Sequence, residues 1–276
     1  MLTRRSILKA GALTCATIAT GIGGIALGQS VRIRRDINSL DVDDPIIENY
    51  RLAVRRLHER DDSLEHSWLG QARIHFDHCH DPRDSFLAWH RAYIHAFEDI
   101  IREASGDASW ALPYWDWTQN RQIPVHFFGA GNELDTSTWN DAAPNGQTTS
   151  ARRLGPNDTL SLNSVDLSRI VNQRNFAVFE NRLNRGPHGS VHVSIGGHMG
   201  AFFSPLDPIF WVHHCNVDRL WEKWLETPGH ANPSDAAWLN DEYASTFADP
   251  QGNLITSVRA GSLLDAIGLG YVYDDA

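Results

Sequence analysis

The 276-residue sequence predicts a mainly α-helical domain, a four-helix bundle with irregular loops and a few short strands. Three observations carry that reading. Apolar residues recur at helical spacing in several windows, the windows carry their own start and stop signals, and histidines crowd into two stretches of the chain.

"DDPIIENYRLAVRRLHERD" (43–61) opens the first helix: Asp44 caps it, Pro45 suits its first turn, and Ile46, Tyr50, Ala53, Val54 and Leu57 form one stripe. "SLEHSWLGQARIHF" (63–76) predicts a second helical segment with His75 at its end. In "DSFLAWHRAYIHAFEDIIREASG" (84–106), Phe86, His90, Phe97 and Ile101 share a face, and Gly106 is the stop. "ALPYWDWT" (111–118) is dense in aromatics and is expected to pack under the helices. From 119 to 165 the pattern fades into Asn, Gly, Thr and Pro, an irregular excursion suited to a pocket rim. A helix is expected over "DLSRIVNQRNFAVFENRLN" (166–184), ending before "RGPH". The last strong helix lies in "SPLDPIFWVHHCNVDRLWEKWLETPG" (204–229), with Asp207 as cap, Pro208 in the first turn, and Phe210, His214, Val217, Trp221 and Leu225 on one stripe. The tail reads as turns and short strands, with a hairpin candidate at "ADPQGN" (248–253) and "YVY" (271–273) packing against Arg34 or Arg35.

Ahead of these elements, "TRRSILKAG" (3–11) and the mildly apolar, glycine-rich run after it have the layout of a twin-arginine export signal over residues 1–28. Residues 29–276 then form one domain, released to the periplasm or outside the cell. Export of this kind follows folding, which suits a protein loaded with metal before release. Removing the signal takes away Arg4, Arg5 and Lys9, three positive charges, and moves the formal net charge from −10 to −13. A nucleic-acid partner is excluded on that balance. No stretch after residue 28 is long and apolar enough for a stable membrane span. Only Cys79 and Cys215 remain, so the domain is no disulfide scaffold, and a single bridge between the two stays open.

Ten of the fourteen histidines fall within 75–95 and 188–214, 48 residues in which even scattering would place two or three. A lone imidazole is ordinarily a core or surface residue. Two clusters point instead to metal, because an ion needs several donors converging on one point. His188 and His192, four apart, point to one side of a helix; His214 lies on a buried stripe, and Asp218, one turn on, is placed to accept a ring N–H. In the first window His90 sits on the core stripe, with His75 and His80 converging from outside it. Zinc takes three-histidine sites too, but two all-imidazole sites with no carboxylate nearby suit copper better.

"HDPRDSFLAWHRAYIHAFE" (80–98) resembles the first copper signature of the tyrosinases and polyphenol oxidases, and "DPIFWVHHCNVD" (207–218) resembles the second, in which the later of the paired histidines binds metal. "QARIH", "ALPYWDWT", "PHGSVHVSIGG" and the closing "GLGYVYD" are similar to other stretches of that family. The resemblance implies two copper ions, one on His75, His80 and His90 and the other on His188, His192 and His214, at the centre of the four helices. It leaves His213 a neighbour, His95 a core ring, His198 a loop residue and His78 a bystander by its spacing to Phe86. It further implies O2 and a small phenol as substrates, with o-diphenols or o-aminophenols oxidised to o-quinones or quinone imines, and leaves room for a helper protein that delivers copper.

Two departures bear on that expectation. Cys79 adjoins His80, whereas many family members space a cysteine away from that ring and join the two by a thioether; here a plain buried thiol is the expectation. Family members that hydroxylate monophenols often carry an acidic residue before the first histidine of the second copper and an asparagine after it. The corresponding positions here are Asn184 and Gly189, with Val193 following His192. Asparagine cannot act as a base and glycine offers no side-chain hydrogen bond, so monophenol hydroxylation is expected to be weak, with Glu180 the nearest substitute. The competing readings are a true tyrosinase with efficient monophenolase activity and a tyrosinase-like protein that binds O2 or zinc without catalysis.

Overall fold

Helix α3 (Phe86–Ser105) is the axis around which the other elements pack. The computed structural model describes residues 31–79, 85–143, 145–146, 151–162 and 167–276, so the export signal expected over 1–28 and His80 lie outside the described residues. Ser85 caps α3 by accepting from the Ala88 amide, and Gly106 ends it at φ 80°, a left-handed conformation that only glycine adopts without steric cost. One apolar stripe was expected; the helix is instead buried on nearly every side, Arg91, His95 and Glu98 included.

Helices α1 (Pro45–His58), α2 (Trp68–His78) and α7 (Ile209–Leu225) surround it. Asp44 caps α1 as expected, accepting from Ile46 N at 2.9 Å, although Ile47 rather than Ile46 joins the buried stripe. Helix α2 starts only at Trp68, because the residues before it are spent on two successive turns that end at the Ser67 cap. It runs on to His78, which puts His75 a turn inside the helix rather than at its end. At α7 the Asp207 carboxylate accepts from Ile209 N at 3.0 Å and its carbonyl from Phe210 N at 2.9 Å, the capping role its position implied. Facing pairs run in opposite order along α3 and α7, so the two are antiparallel; Phe97 stacks on Trp211 at 7° between planes, worth about 0.5–1.5 kcal/mol beyond its buried area. Tyr50 and Trp68 tie α1 and α2 to the approach to α7 by donating to the carbonyls of Pro208 (2.7 Å) and Leu206 (3.3 Å).

The single helix expected over 166–184 is two, α4 (Leu167–Val171) and α5 (Phe176–Leu183), with Asn175 capping the second. Nor does α5 stop before "RGPH". It passes through a widened turn, Asn184–His188, into α6 (Gly189–Ile195). Pro187 has no amide hydrogen to donate and Gly186 takes non-helical angles (φ −95°, ψ −107°), so the chain kinks there without breaking. A short helix, α8 (Ala236–Leu239), precedes the tail. Strand β1 (Arg32–Arg34) pairs in parallel with β2 (Tyr271–Tyr273), Arg34 opposite Tyr273. The hairpin candidate forms a tight turn, Asp249 N to Asn253 O at 2.8 Å, flanked by one antiparallel bridge and no full strand. Among the described residues no helix is long and apolar enough to cross a membrane.

Two buried ionic clusters hold this frame. Arg34 donates to both oxygens of Glu98 (3.0 and 2.9 Å), to Asp218 (3.1 Å) and to the Tyr273 hydroxyl (3.0 Å), and lies over the Tyr271 ring at 3.5 Å. Arg91 donates to the same Asp218 (2.5 Å) and to Glu222 (2.6 Å). Of the two arginines the sequence offered for packing against "YVY", Arg34 takes the place, and Arg35 turns to Asp44. The second cluster pins the irregular excursion: Arg152 forks onto fully buried Asp207 (2.8 and 2.6 Å) and also donates to the carbonyls of Phe127 and Leu134.

Arg152→Ala leaves the Asp207 carboxylate buried and unpaired, and is expected to cost about 3–5 kcal/mol, read from the midpoint of denaturant unfolding. The first cluster sets an acid limit. Burial pushes Glu98 upward, but Arg34 and then Arg102 outweigh it and bring it from 4.5 down to about 2; at Asp218 burial is likewise outweighed by Arg91 and Arg34. Groups depressed in the folded state stabilise it above their unfolded values, so stability is expected to hold above pH 4.5 and to fall as pH drops from there toward about 2, followed by circular dichroism.

Candidate metal centre

Helices α2, α3, α6 and α7 each turn imidazoles toward one point. The His90 and His214 rings lie stacked, centroids 4.3 Å apart and planes 8° apart, so the two histidine windows meet across the α3–α7 seam. His75 stands 5.7 Å from His90, and His188 stands 4.7 Å from His192 and 4.9 Å from His214. The i, i+4 spacing of His188 and His192 does what it implied, even though His188 sits at the junction of the widened turn with α6. Phe86, Trp89 and Phe210 pack on these rings and keep water from their backs.

Backbone carbonyls decide which nitrogen of each ring is available. Nδ1 of His75 meets Phe202 O at 2.6 Å, His90 meets Phe86 O at 2.8 Å, His188 meets Asn184 O at 3.0 Å and His192 meets Met199 O at 2.7 Å. A carbonyl can only accept, so each Nδ1 carries the hydrogen, and in the neutral ring Nε2 carries the lone pair. His188, His213 and His214 are held neutral: burial, and then the neighbouring imidazoles, drive all three well below the ordinary histidine value.

One atom each of His188, His192, His213 and His214 lies within 4.8 Å of the others, and Nε2 of His192 and Nε2 of His214 face each other at 3.4 Å. Two nitrogens bound to one ion at about 2.0–2.1 Å in a tetrahedral angle stand roughly 3.3 Å apart, so this spacing fits a shared cation. Nε2 of His188, Nδ1 of His214 and both nitrogens of His213 are buried with no protein hydrogen-bond partner. Leaving that many polar atoms dry is costly, and a metal would relieve at least the nitrogens aimed at the centre.

The rings floor a cavity of about 460 Å³ with Phe76, Phe86, Phe202 and Phe203 in its walls, room for one aromatic ring. Asn184, Gly189 and Val193 all line it, Val193 standing 65% exposed at the mouth. The segment Met199–Ser204 also contributes; nothing in its sequence marked it except two adjacent phenylalanines, of which Phe202 is 58% exposed.

Other expectations divide. His95 is a core ring bonded to Leu269 O at 3.1 Å, His198 is a buried ring beside Phe203 on the loop after α6, and His78 is exposed on α2. Asp218 orients no imidazole: Arg34, Arg91, Tyr271 and Tyr273 take its oxygens. Glu180 is spent at the start of α3, accepting from Ser85 Oγ (2.6 Å) and Leu87 N (2.9 Å). His213, expected as a neighbour of the ligands, comes within 4.8 Å of His188, His192 and His214, close enough to count among the candidate donors. Cys79 and Cys215 form no disulfide with each other, and the Cys79 sulfur lies 3.4 Å from Nδ1 of His75; burial raises its thiol well above the ordinary cysteine value.

The family model "common central domain of tyrosinase" matches residues 56–227. The tyrosinase HcTyr1 of Hahella sp. is 28% identical over 87% of this chain, and the chloroplastic polyphenol oxidase A of Solanum lycopersicum is 26% identical over 88%. The chain spans 63% and 46% of the length of those two relatives. The structure of latent apple tyrosinase superposes with a TM-score of 0.73 at 22% identity, over 95% of this chain and 66% of that one, and so shares its mainly helical fold. Since the matched region takes in every described histidine of the centre, the chain belongs to the tyrosinase family.

Proposed function

We propose that the protein is a copper-dependent polyphenol oxidase that uses O2 to oxidise o-diphenols, or o-aminophenols, to o-quinones or quinone imines. The family binds copper, and the assignment proposed for this chain is one ion on His75, His80 and His90 and a second on His188, His192 and His214. The observation that carries it is the convergence of imidazoles from both windows, their Nε2 lone pairs set by carbonyl contacts behind them. When bound, the metal pair supplies the redox chemistry, passing two electrons from the phenol to O2.

The chain's own residues supply position. The phenylalanine walls take the flat face of the substrate, and the carbonyls of Phe202, Phe86, Asn184 and Met199 stop the rings from turning. Asn184 and Gly189 stand where a base and a water-holding amide are needed to deprotonate a monophenol, and neither side chain does that work. No carboxylate lines the cavity among the described residues, and Glu180 is occupied at α3. Diphenol oxidation is therefore the faster activity in this reading. The twin-arginine layout of residues 3–11 supports export to the periplasm or beyond.

The presence of His213 in the cluster favours a second arrangement, a single ion gripped by four imidazoles. Metal analysis separates the two. Two copper ions per chain, one lost in His214→Gln and none in His213→Gln, is the expected result; one ion per chain, lost equally in both variants, overturns it. A panel of catechol, o-aminophenol and tyramine against the copper-loaded protein tests the activity. Catechol or o-aminophenol is expected to turn over at once and tyramine slowly; no turnover of any of them, or lag-free tyramine turnover matching catechol, refutes the reading. Asn184→Glu with Gly189→Asn is expected to raise the tyramine-to-catechol rate ratio about tenfold or more, since a placed base is typically worth about 10²–10⁴. A Cβ at 189 meets nothing closer than Asn184 O at 3.4 Å, so the site has room for the change.

A further inference from the structure

The wall of the cavity at Gly189 and Val193 is shared with a second recess, of about 660 Å³, on the other side of α6. Helical geometry explains the sharing. His188 and His192 face the metal centre, Gly189 and Val193 come one position round, and Ser190 and Ser194 one further, so α6 is a ridge with the centre on one flank and the recess on the other. Glycine at 189 leaves the ridge low beside the first ring.

The recess is cationic in a chain of net charge −10. Arg153 and Arg185 line it, with Thr159 and Ser161, and no acidic side chain does so among the described residues. Arg34, Arg91, Arg102, Arg152 and Arg219, all buried or half-buried, are each committed to carboxylates. Arg153 and Arg185 form no ion pair among the described residues. Arg153 is nonetheless held in place. Its amide donates to Ile195 O at 2.7 Å, one guanidinium nitrogen donates to Val193 O at 3.2 Å, and its stem lies across Gly196, where a Cβ would meet Arg153 Cδ at 2.8 Å. The remaining donors are a ready fork for a planar anion.

We propose that this recess selects the substrate: Arg153 and Arg185 bind an anionic substituent, a carboxylate first of all, on a phenolic ring whose hydroxyl groups reach the metal centre across Gly189. The proposal rests on the phenol-oxidase reading, and names ring-carboxylated o-diphenols or o-aminophenols as the preferred class. Both arginines are specificity residues at the rim and neither takes part in electron transfer.

The test compares kcat/KM for 3,4-dihydroxybenzoate and for 4-methylcatechol on the copper-loaded protein and on Arg153→Gln/Arg185→Gln. Exposed pairs of this kind are modest, so the carboxylate-to-methyl ratio is expected to fall about three- to tenfold in the double variant, through KM, with 4-methylcatechol unchanged. In the unsubstituted protein the ratio is expected to fall as salt is raised toward 1 M. A ratio indifferent to both changes overturns the proposal. A second readout needs no turnover: benzoate binding to the metal-free protein, followed by titration calorimetry, is expected to weaken by the same factor in the double variant. If neither phenol is oxidised but benzoate binding still depends on the arginines, the oxidase reading fails while the anion site stands. If both phenols are oxidised and benzoate binding ignores the arginines, the anion site fails alone.

Discussion

The approach of α3 to α7 is the constraint on which the rest depends, and the Arg91–Asp218 pair sets it. Arg91 follows His90 directly, and Asp218 lies one turn beyond His214, so the ion pair staples the helices beside the stacked rings. Both groups are buried, and a buried pair stabilises only when its remaining donors and acceptors are satisfied. Here they are: Arg91 also reaches Glu222 and Leu263 O, while Asp218 also takes Arg34, Tyr271 and Tyr273. The ends of the described chain thus bear on the centre without touching it, because Arg34 leaves β1 and the two tyrosines leave β2 to close the network.

A second constraint is that imidazoles packed this closely must be told which nitrogen to present. Four carbonyls do this, two of them from the ring's own helix one turn back (Phe86, Asn184) and two from the loop after α6 (Met199, Phe202). Burial keeps His188 and His214 neutral, the form that binds metal, and the cost of holding dry, unpartnered nitrogens is the strongest internal argument that an ion belongs there. The kink at Gly186 and Pro187 serves the same end, since it lets α5 and α6 run on continuously while turning His188 inward.

Under the function proposed above, substrate preference belongs to the ridge of α6 rather than to the floor of the site. The histidines floor a ring-sized apolar slot, Asn184, Gly189 and Val193 line its edge, and Arg153 and Arg185 line the recess beyond the ridge.

The helices and the two histidine groups were legible in the sequence because their signals are local. A capping aspartate, a proline in the first turn, an apolar stripe and a pair of rings four apart are all decided within a few residues of themselves. His90 and His214 could be assigned to the core for that reason. What the sequence could not decide was the partner of each charged group, since any of several arginines satisfies an aspartate equally well on paper. Only the packed chain gives Asp218 to Arg34 and Arg91 instead of to a histidine, commits Glu180 to the start of α3, brings His213 into the cluster, and carries "YVY" to a parallel strand from the far end of the domain. Those choices follow from which surfaces are buried together, a property of the assembled helices that no single stretch of sequence contains.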